Sequence, residues 1–104
     1  MRNISWTKPQ KQCARELFDL ALEREYKSLI EEINALRIES RDEVWELRDR
    51  LNQKAKEIDR KYDYRYSQLT FVFAQLLHEG YLSLDELNVL GEEKLDEIKK
   101  MIKR

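Results

Sequence analysis

The chain has 104 residues, enough for one small domain or one protomer of an assembly; 39% are charged and 41% hydrophobic. The 20 basic and 21 acidic residues nearly cancel and are interspersed, which excludes nucleic-acid binding through a basic excess and leaves no polybasic membrane patch. With only two glycines and one proline, such a composition points to long helices and an all-α fold.

Met1 to Trp6 reads as a short irregular lead. Thr7, with Gln10 three residues on and Pro9 in the first turn, is a capping box that opens a first helix over about 8–37. Its apolar row Leu22, Tyr26, Leu29, Ile33 and Leu36 advances by four and three, a heptad seam. Cys13, Leu17 and Leu20 form a second row upstream, displaced by a short stutter. A helix of about 30 residues is roughly 45 Å long, so an elongated molecule is expected.

Arg37, Ile38 and Glu39 supply the turn, and Ser40 with Glu43 is a second capping box. The second helix follows to about Tyr62, antiparallel to the first, with Val44, Leu47, Leu51, Ala55, Ile58 and Tyr62 on its apolar stripe. A break is expected at 63–66, with Asp63 as a cap for the third helix, although the apolar pattern continues through Tyr66, Leu69, Phe73 and Leu76. The third helix, SQLTFVFAQLLHE, is apolar almost all round and should be central to a core; Gly80 closes it and His78 sits in its last turn. Ser83 with Glu86 caps a short fourth helix that stops at Gly91, and a fifth runs over 92–103, acids first and lysines last.

The expected architecture is a single domain, 1–104, with a helical hairpin as a stalk (8–62) and a small helical head (66–104). A two-helix stalk leaves its apolar stripe open. A hairpin from a second copy would close a four-helix bundle, giving a homodimer through Leu29, Ile33, Leu36, Leu47 and Leu51. The alternative is a head folded back over the hairpin in a monomer.

Motifs of chemistry are missing. There is no Gly-rich phosphate loop, no nucleophile elbow and no cluster of histidine and cysteine, so neither an enzyme, a metal nor a cofactor is expected. Cys13 has no partner for a disulfide and reads as a small core hydrophobe. His78 suits the helix dipole better than catalysis. Asn3-Ile4-Ser5 is formally a glycosylation sequon, but no secretion signal follows Met1. No apolar run reaches membrane-span length, so a cytoplasmic location is expected. What remains is a binding surface. Trp45 stands about a quarter-turn off the stripe of the second helix, and with Arg48, Asp49 and Asn52 it has the composition of an interface hot spot. Packing of Trp45 at the dimer seam is the alternative role.

The runs DEVWELRDRL (42–51), KEIDRKYDYR (56–65) and SQLTFVFAQLLHEG (67–80) resemble the fluorescence recovery protein family of cyanobacteria. Trp6, Leu17-Phe18, Arg24-Glu25, Leu82 and Glu86-Leu87 are weaker matches, and the likeness covers nearly the whole chain. The resemblance implies an all-helical dimer, acting by binding rather than catalysis. It would bind the C-terminal domain of photoactivated orange carotenoid protein and speed that protein's return to the inactive orange state. Non-photochemical quenching at phycobilisomes would thereby end, which places the protein near the thylakoid surface if its source is cyanobacterial. The family's contact patch carries Trp, His, Asp and Arg. Trp45 and Asp49 match the first and third, whereas Arg48 stands at the histidine position and Ala55 at the arginine position. Those departures keep open a second role, a helical scaffold of the same fold for another protein partner.

Overall fold

A computed structural model describes residues 5–102. The lead before Ser5, including Asn3 of the sequon, and the end of the chain from Lys103 lie outside the described residues. Five α-helices follow one another: α1 (Lys8–Asn34), α2 (Arg41–Lys61), α3 (Leu69–His78), α4 (Leu84–Leu87) and α5 (Glu92–Ile102), with a 3-10 turn at Asn88–Leu90. No strand occurs among the described residues.

Local chemistry explains most of the boundaries. The Thr7 hydroxyl accepts from Gln10 N–H, and the Gln10 side chain accepts from Thr7 N–H, a reciprocal capping box with Pro9 in the first turn. Ser83 and Glu86 repeat that arrangement ahead of α4. At α2 only half of the expected box forms. Ser40 Oγ accepts from Glu43 N–H, but the Glu43 carboxylate reaches one residue further and accepts from Glu39 N–H. At the end of α3, Gly80 (φ 85°) lets Tyr81 N–H bond Leu76 C=O and Gly80 N–H bond Leu77 C=O, a Schellman closure that needs the left-handed conformation. Gly91 (φ 95°, ψ 161°) ends the 3-10 turn, also at a positive φ that suits glycine.

Four expectations are corrected. First, α1 stops at Asn34, not near Arg37, because Leu36 N–H turns to Ile33 C=O and tightens the end of the helix. Second, Asp63 does not cap α3. Its carboxylate takes the Arg65 guanidinium instead, and α3 starts at Leu69 without a side-chain cap. Third, α3 is not buried all round. Leu69, Val72, Phe73, Ala74 and Leu76 are buried, while Phe71 is 56% exposed. Fourth, Trp6 is no loose lead. It is buried, and its indole N–H donates to Tyr66 C=O at 3.0 Å.

One hydrophobic core joins Trp6, the first half of α1 (Ala14, Leu17, Phe18, Ala21), α3, Leu82, Leu87, Leu90 and Ile98. Within it α3 packs most extensively on α5. The row of α1 that enters the core is therefore centred on Ala14, Leu17, Phe18 and Ala21, with Cys13 and Leu20 half-buried at its flanks. Each fully buried Leu or Phe contributes about 1.5–3 kcal/mol. Beyond Glu25 this core ends, and α2 contributes only Ile58 to the buried set. The extents, 52 × 26 × 26 Å, and a radius of gyration of 16.5 Å describe an elongated molecule. A compact chain of this length would have a radius of gyration near 13 Å, about 3 Å smaller.

The next residue of the buried row of α1 is a carboxylate. Glu25 is fully buried and accepts from Lys54 Nζ (2.9 Å), Lys61 Nζ (2.8 Å) and Tyr62 Oη (2.8 Å). Lys61 also reaches Glu79 at 2.6 Å. Further along, Glu32 of α1 pairs with Arg50 of α2. Contacts in this order, 25 with 54–61 and 32 with 50, make the two helices antiparallel, as the short connection requires.

Burial pushes the Glu25 carboxyl up, but the bonds from Lys54, Lys61 and Tyr62 outweigh it and hold the pKa below 4.5. Arg24 similarly holds Glu86 down at about 2. A depressed carboxylate stabilises the fold above its unfolded pKa, and that contribution is lost as pH falls through the folded value. Stability should accordingly drop as pH falls from about 4.5 towards 2. Glu25→Gln should lower stability at pH 7 by about 3 kcal/mol by taking the carboxylate from Lys54 and leaving Lys61 with Glu79 alone, and should flatten the acid limb of the profile. Urea denaturation of both proteins across pH 2–7 checks this; equal midpoints at pH 7 would contradict it.

Candidate partner-binding surface

The surface of interest is built on α2, whose ends are well specified. Asp42 and Glu43 occupy its first turn and Arg60 and Lys61 its last, the polarity a helix dipole favours. Because only Ile58 is fully buried, most of α2 is left to present side chains. Trp45 is 52% exposed, a large aromatic left in solvent on a helix otherwise rich in charge.

Arg48 lies one turn after Trp45, and its guanidinium carbon stands 5.2 Å from the Trp45 ring centroid. The same guanidinium donates through Nε (3.2 Å) and Nη2 (3.1 Å) to Asp49 Oδ1. Three of the four residues expected at the site thus form one cluster: an indole, a cation over it and a carboxylate bound to that cation. Exposed cation–π contacts and ion pairs each contribute at most about 1 kcal/mol, so the cluster orients side chains more than it stabilises the fold. Asn52 is exposed one turn further on, but no hydrogen bond among the described residues joins it to the cluster. Ala55, also exposed, adds no polar group.

The expected dimer residues lie on the adjoining side. Leu29 and Ile33 of α1, with Leu36 just beyond its end, face Leu47 and Leu51 of α2 across a groove of about 480 Å³ open to solvent. All five are half-buried in the single chain. Glu32, Arg50, Lys54 and Glu57 line the same groove, with the Arg50–Glu32 pair across it.

Phe71 is a second exposed aromatic that sequence reasoning placed in the core. The available signal is its spacing from Phe73. Two residues are about 200° apart on a helix, so a helix with one covered face cannot bury both. Phe71 stands beside Ala74, Gln75, His78, Met101 and Ile102 at a shallow recess between α3 and α5. His78, in the last turn of α3, is exposed, as its expected place at the helix end required.

The described residues contain no cluster of metal-ligating side chains, and no helix among them is long and apolar enough to cross a membrane.

The pattern of the family described as photoprotection regulator fluorescence recovery protein matches residues 6–102. The chain belongs to the fluorescence recovery protein family. It is 42% identical over 96 residues to the fluorescence recovery protein of Synechocystis sp., covering 90% of this chain and 88% of that one. The structure of the Fremyella diplosiphon fluorescence recovery protein superposes with a TM-score of 0.89 at 41% identity, covering 96% of this chain and all of that one. The Synechocystis structure superposes with a TM-score of 0.88 at 39% identity over the same shares. The all-helical architecture is thus shared with solved members of the family, which is described as a regulator.

The two tryptophans differ enough in exposure, 8% against 52%, to be read separately. Quenching of the fluorescence by iodide should reveal one protected and one accessible emitter, and Trp45→Phe should remove the accessible one. The same substitution should change unfolding free energy by no more than about 0.5 kcal/mol, as for a surface site. A larger loss in urea denaturation would assign Trp45 to the fold.

Proposed function

We propose that this protein is a non-enzymatic regulator that binds the C-terminal domain of photoactivated orange carotenoid protein and accelerates its return to the orange state. It thereby ends non-photochemical quenching at phycobilisomes, in the cytoplasm near the thylakoid surface of a cyanobacterium. The observation that carries this reading is the solvent-facing Trp45, braced by Arg48 and Asp49, in a member of a photoprotection-regulator family. Trp45, Arg48, Asp49 and Asn52 form the contact surface. An indole in that setting offers a large contact area with few rotatable bonds, as interface hot spots do.

Binding alone can shift an equilibrium only by differential affinity for the two states. Faster relaxation needs tighter binding to the transition state that leads back. A dimer that grips two domains of the carotenoid protein raises their effective concentration, which favours their rejoining. The half-buried leucines and isoleucine of the groove support such a dimer: Leu29, Ile33, Leu36, Leu47 and Leu51 are the faces that a second hairpin would cover, with helices 3 to 5 as a head on the resulting stalk.

A second reading keeps the fold and changes the partner. Arg48 and Ala55 depart from the contact patch implied by the resemblance, and they favour a scaffold for another protein in a bacterium without the carotenoid protein.

Absorbance recovery of photoactivated carotenoid protein in the dark should quicken on adding this protein. Trp45→Ala and Asp49→Ala should each weaken the effect about tenfold or more while the melting curve stays in place. No acceleration by the folded wild type would sink the first reading and leave the second. The dimer is tested on its own: light scattering at micromolar concentration should give twice the mass of the 12.7 kDa chain. Leu51→Glu, which buries a charge in the seam, should give the single mass.

A further inference from the structure

The charges around Trp45 are unevenly distributed. At about 100° per residue, Arg41, Trp45, Arg48, Asn52 and Lys56 fall within roughly 80° of arc, a strip about 22 Å long on α2. All five are exposed. Asp49 borders the strip, and Asp59 follows it one turn on. Asp49 is already bound by Arg48 through two nitrogens on a single oxygen. Neither Arg41 nor Lys56 is in an ion pair among the described residues, whereas Arg50, Lys54 and Lys61 on the opposite face of α2 are, Arg50 with Glu32 and the two lysines with Glu25. From Arg41 to Lys56 the strip thus carries three cations, with Asp42 and the occupied Asp49 along one border, in a chain whose overall charge is −1.

Arg48 is the pivot of this arrangement. Nη1 takes no part in the bonds to Asp49, so its two N–H groups remain for an outside acceptor while the guanidinium stays over the indole. By holding Asp49, it also occupies the carboxylate that borders the strip at its middle. We infer that this strip docks an acidic protein face, and that Arg48 sets the preference, with the partner's carboxylates meeting Arg41, Arg48 and Lys56 around a contact on Trp45. The inference rests on the contact surface proposed above and adds the chemistry of what it meets.

Two probes separate this inference from the identity of the partner. In the first, isotope-labelled protein is titrated with poly-L-glutamate at low salt and followed by amide NMR. Shifts should cluster over 41–56, poly-L-lysine should leave that strip unmoved, and Arg48→Glu or Lys56→Glu should weaken the titration about tenfold. Shifts elsewhere, or variants that titrate like the wild type, overturn the inference. In the second, binding to photoactivated carotenoid protein is measured from about 50 to about 300 mM salt, where screening shortens the reach of exposed charges. The wild type should weaken roughly tenfold, and Arg48→Glu should bind about tenfold more weakly at the lower salt. Binding insensitive to both salt and Arg48→Glu overturns the acidic preference and leaves the partner reading standing. Absence of carotenoid-protein binding with the polyglutamate result intact overturns the partner and leaves the preference. A halved mass of Arg48→Glu by light scattering would place the strip between two copies of this chain and overturn the inference.

Discussion

A single buried carboxylate fixes how the first two helices meet. Glu25 follows Ala14, Leu17, Phe18 and Ala21 in the buried row of α1, where a leucine would ordinarily sit. Two lysines and a tyrosine, all from the C-terminal half of α2 and its cap, satisfy it. A misplaced register would leave that charge in the core without partners, which costs several kcal/mol. Arg24, next in sequence, pairs with Glu86 at 2.6 Å and donates to Tyr81 C=O. The dipeptide Arg24-Glu25 therefore ties α1 both to α2 and to the capping box of α4. The groove and the strip on α2 inherit their positions from this junction.

The same physics holds the bend between α2 and α3. The apolar pattern runs straight through 62–69, yet the helix stops at Lys61. Aromatic and cationic groups from α1 occupy the corner instead. Phe18 meets Tyr62 and Tyr64 edge-on at 5.3 and 4.9 Å, Arg15 lies over Tyr64, and Lys11 lies over Tyr66. Tyr66 C=O accepts the Trp6 indole, and Arg65 C=O accepts from Gln68 and Leu69. These long-range contacts supply more than one additional helical turn would return, so the backbone bends where local propensity is neutral. Lys94, buried beside Trp6, bonds Ser5 C=O at 2.7 Å and closes this corner from the α5 side.

Legibility in the sequence follows the range of the forces. The caps at Thr7 and Ser83 and the stops at Gly80 and Gly91 depend on residues three or four apart, and their patterns are visible in a single line of letters. Trp45 was readable as an off-stripe aromatic because helical phase alone sets its direction. Glu25 and Trp6 were not. Whether a glutamate on an apolar row is buried depends on lysines about 30 residues away, and Trp6 is covered only because Tyr66 and Lys94 come to it. The reach of Arg48 back over Trp45 and across to Asp49 depends on its rotamer, which residue spacing leaves open.

The burden on α2 is divided along its length, and this division separates the fold from the surface left in solvent. Its C-terminal half holds Ile58 and the lysines of the Glu25 junction, where a substitution disturbs packing or a buried charge. From its start to its middle turns it carries Trp45, Arg48, Asp49 and Asn52 in solvent, where exchanges cost at most about 0.5 kcal/mol each. An arginine can therefore stand at position 48 while the helix keeps its length and its partners in the core. Such a helix can change the chemistry it presents without renegotiating the fold that presents it. A member of the family with a different charge at position 48 would keep this architecture and present a different surface beside Trp45.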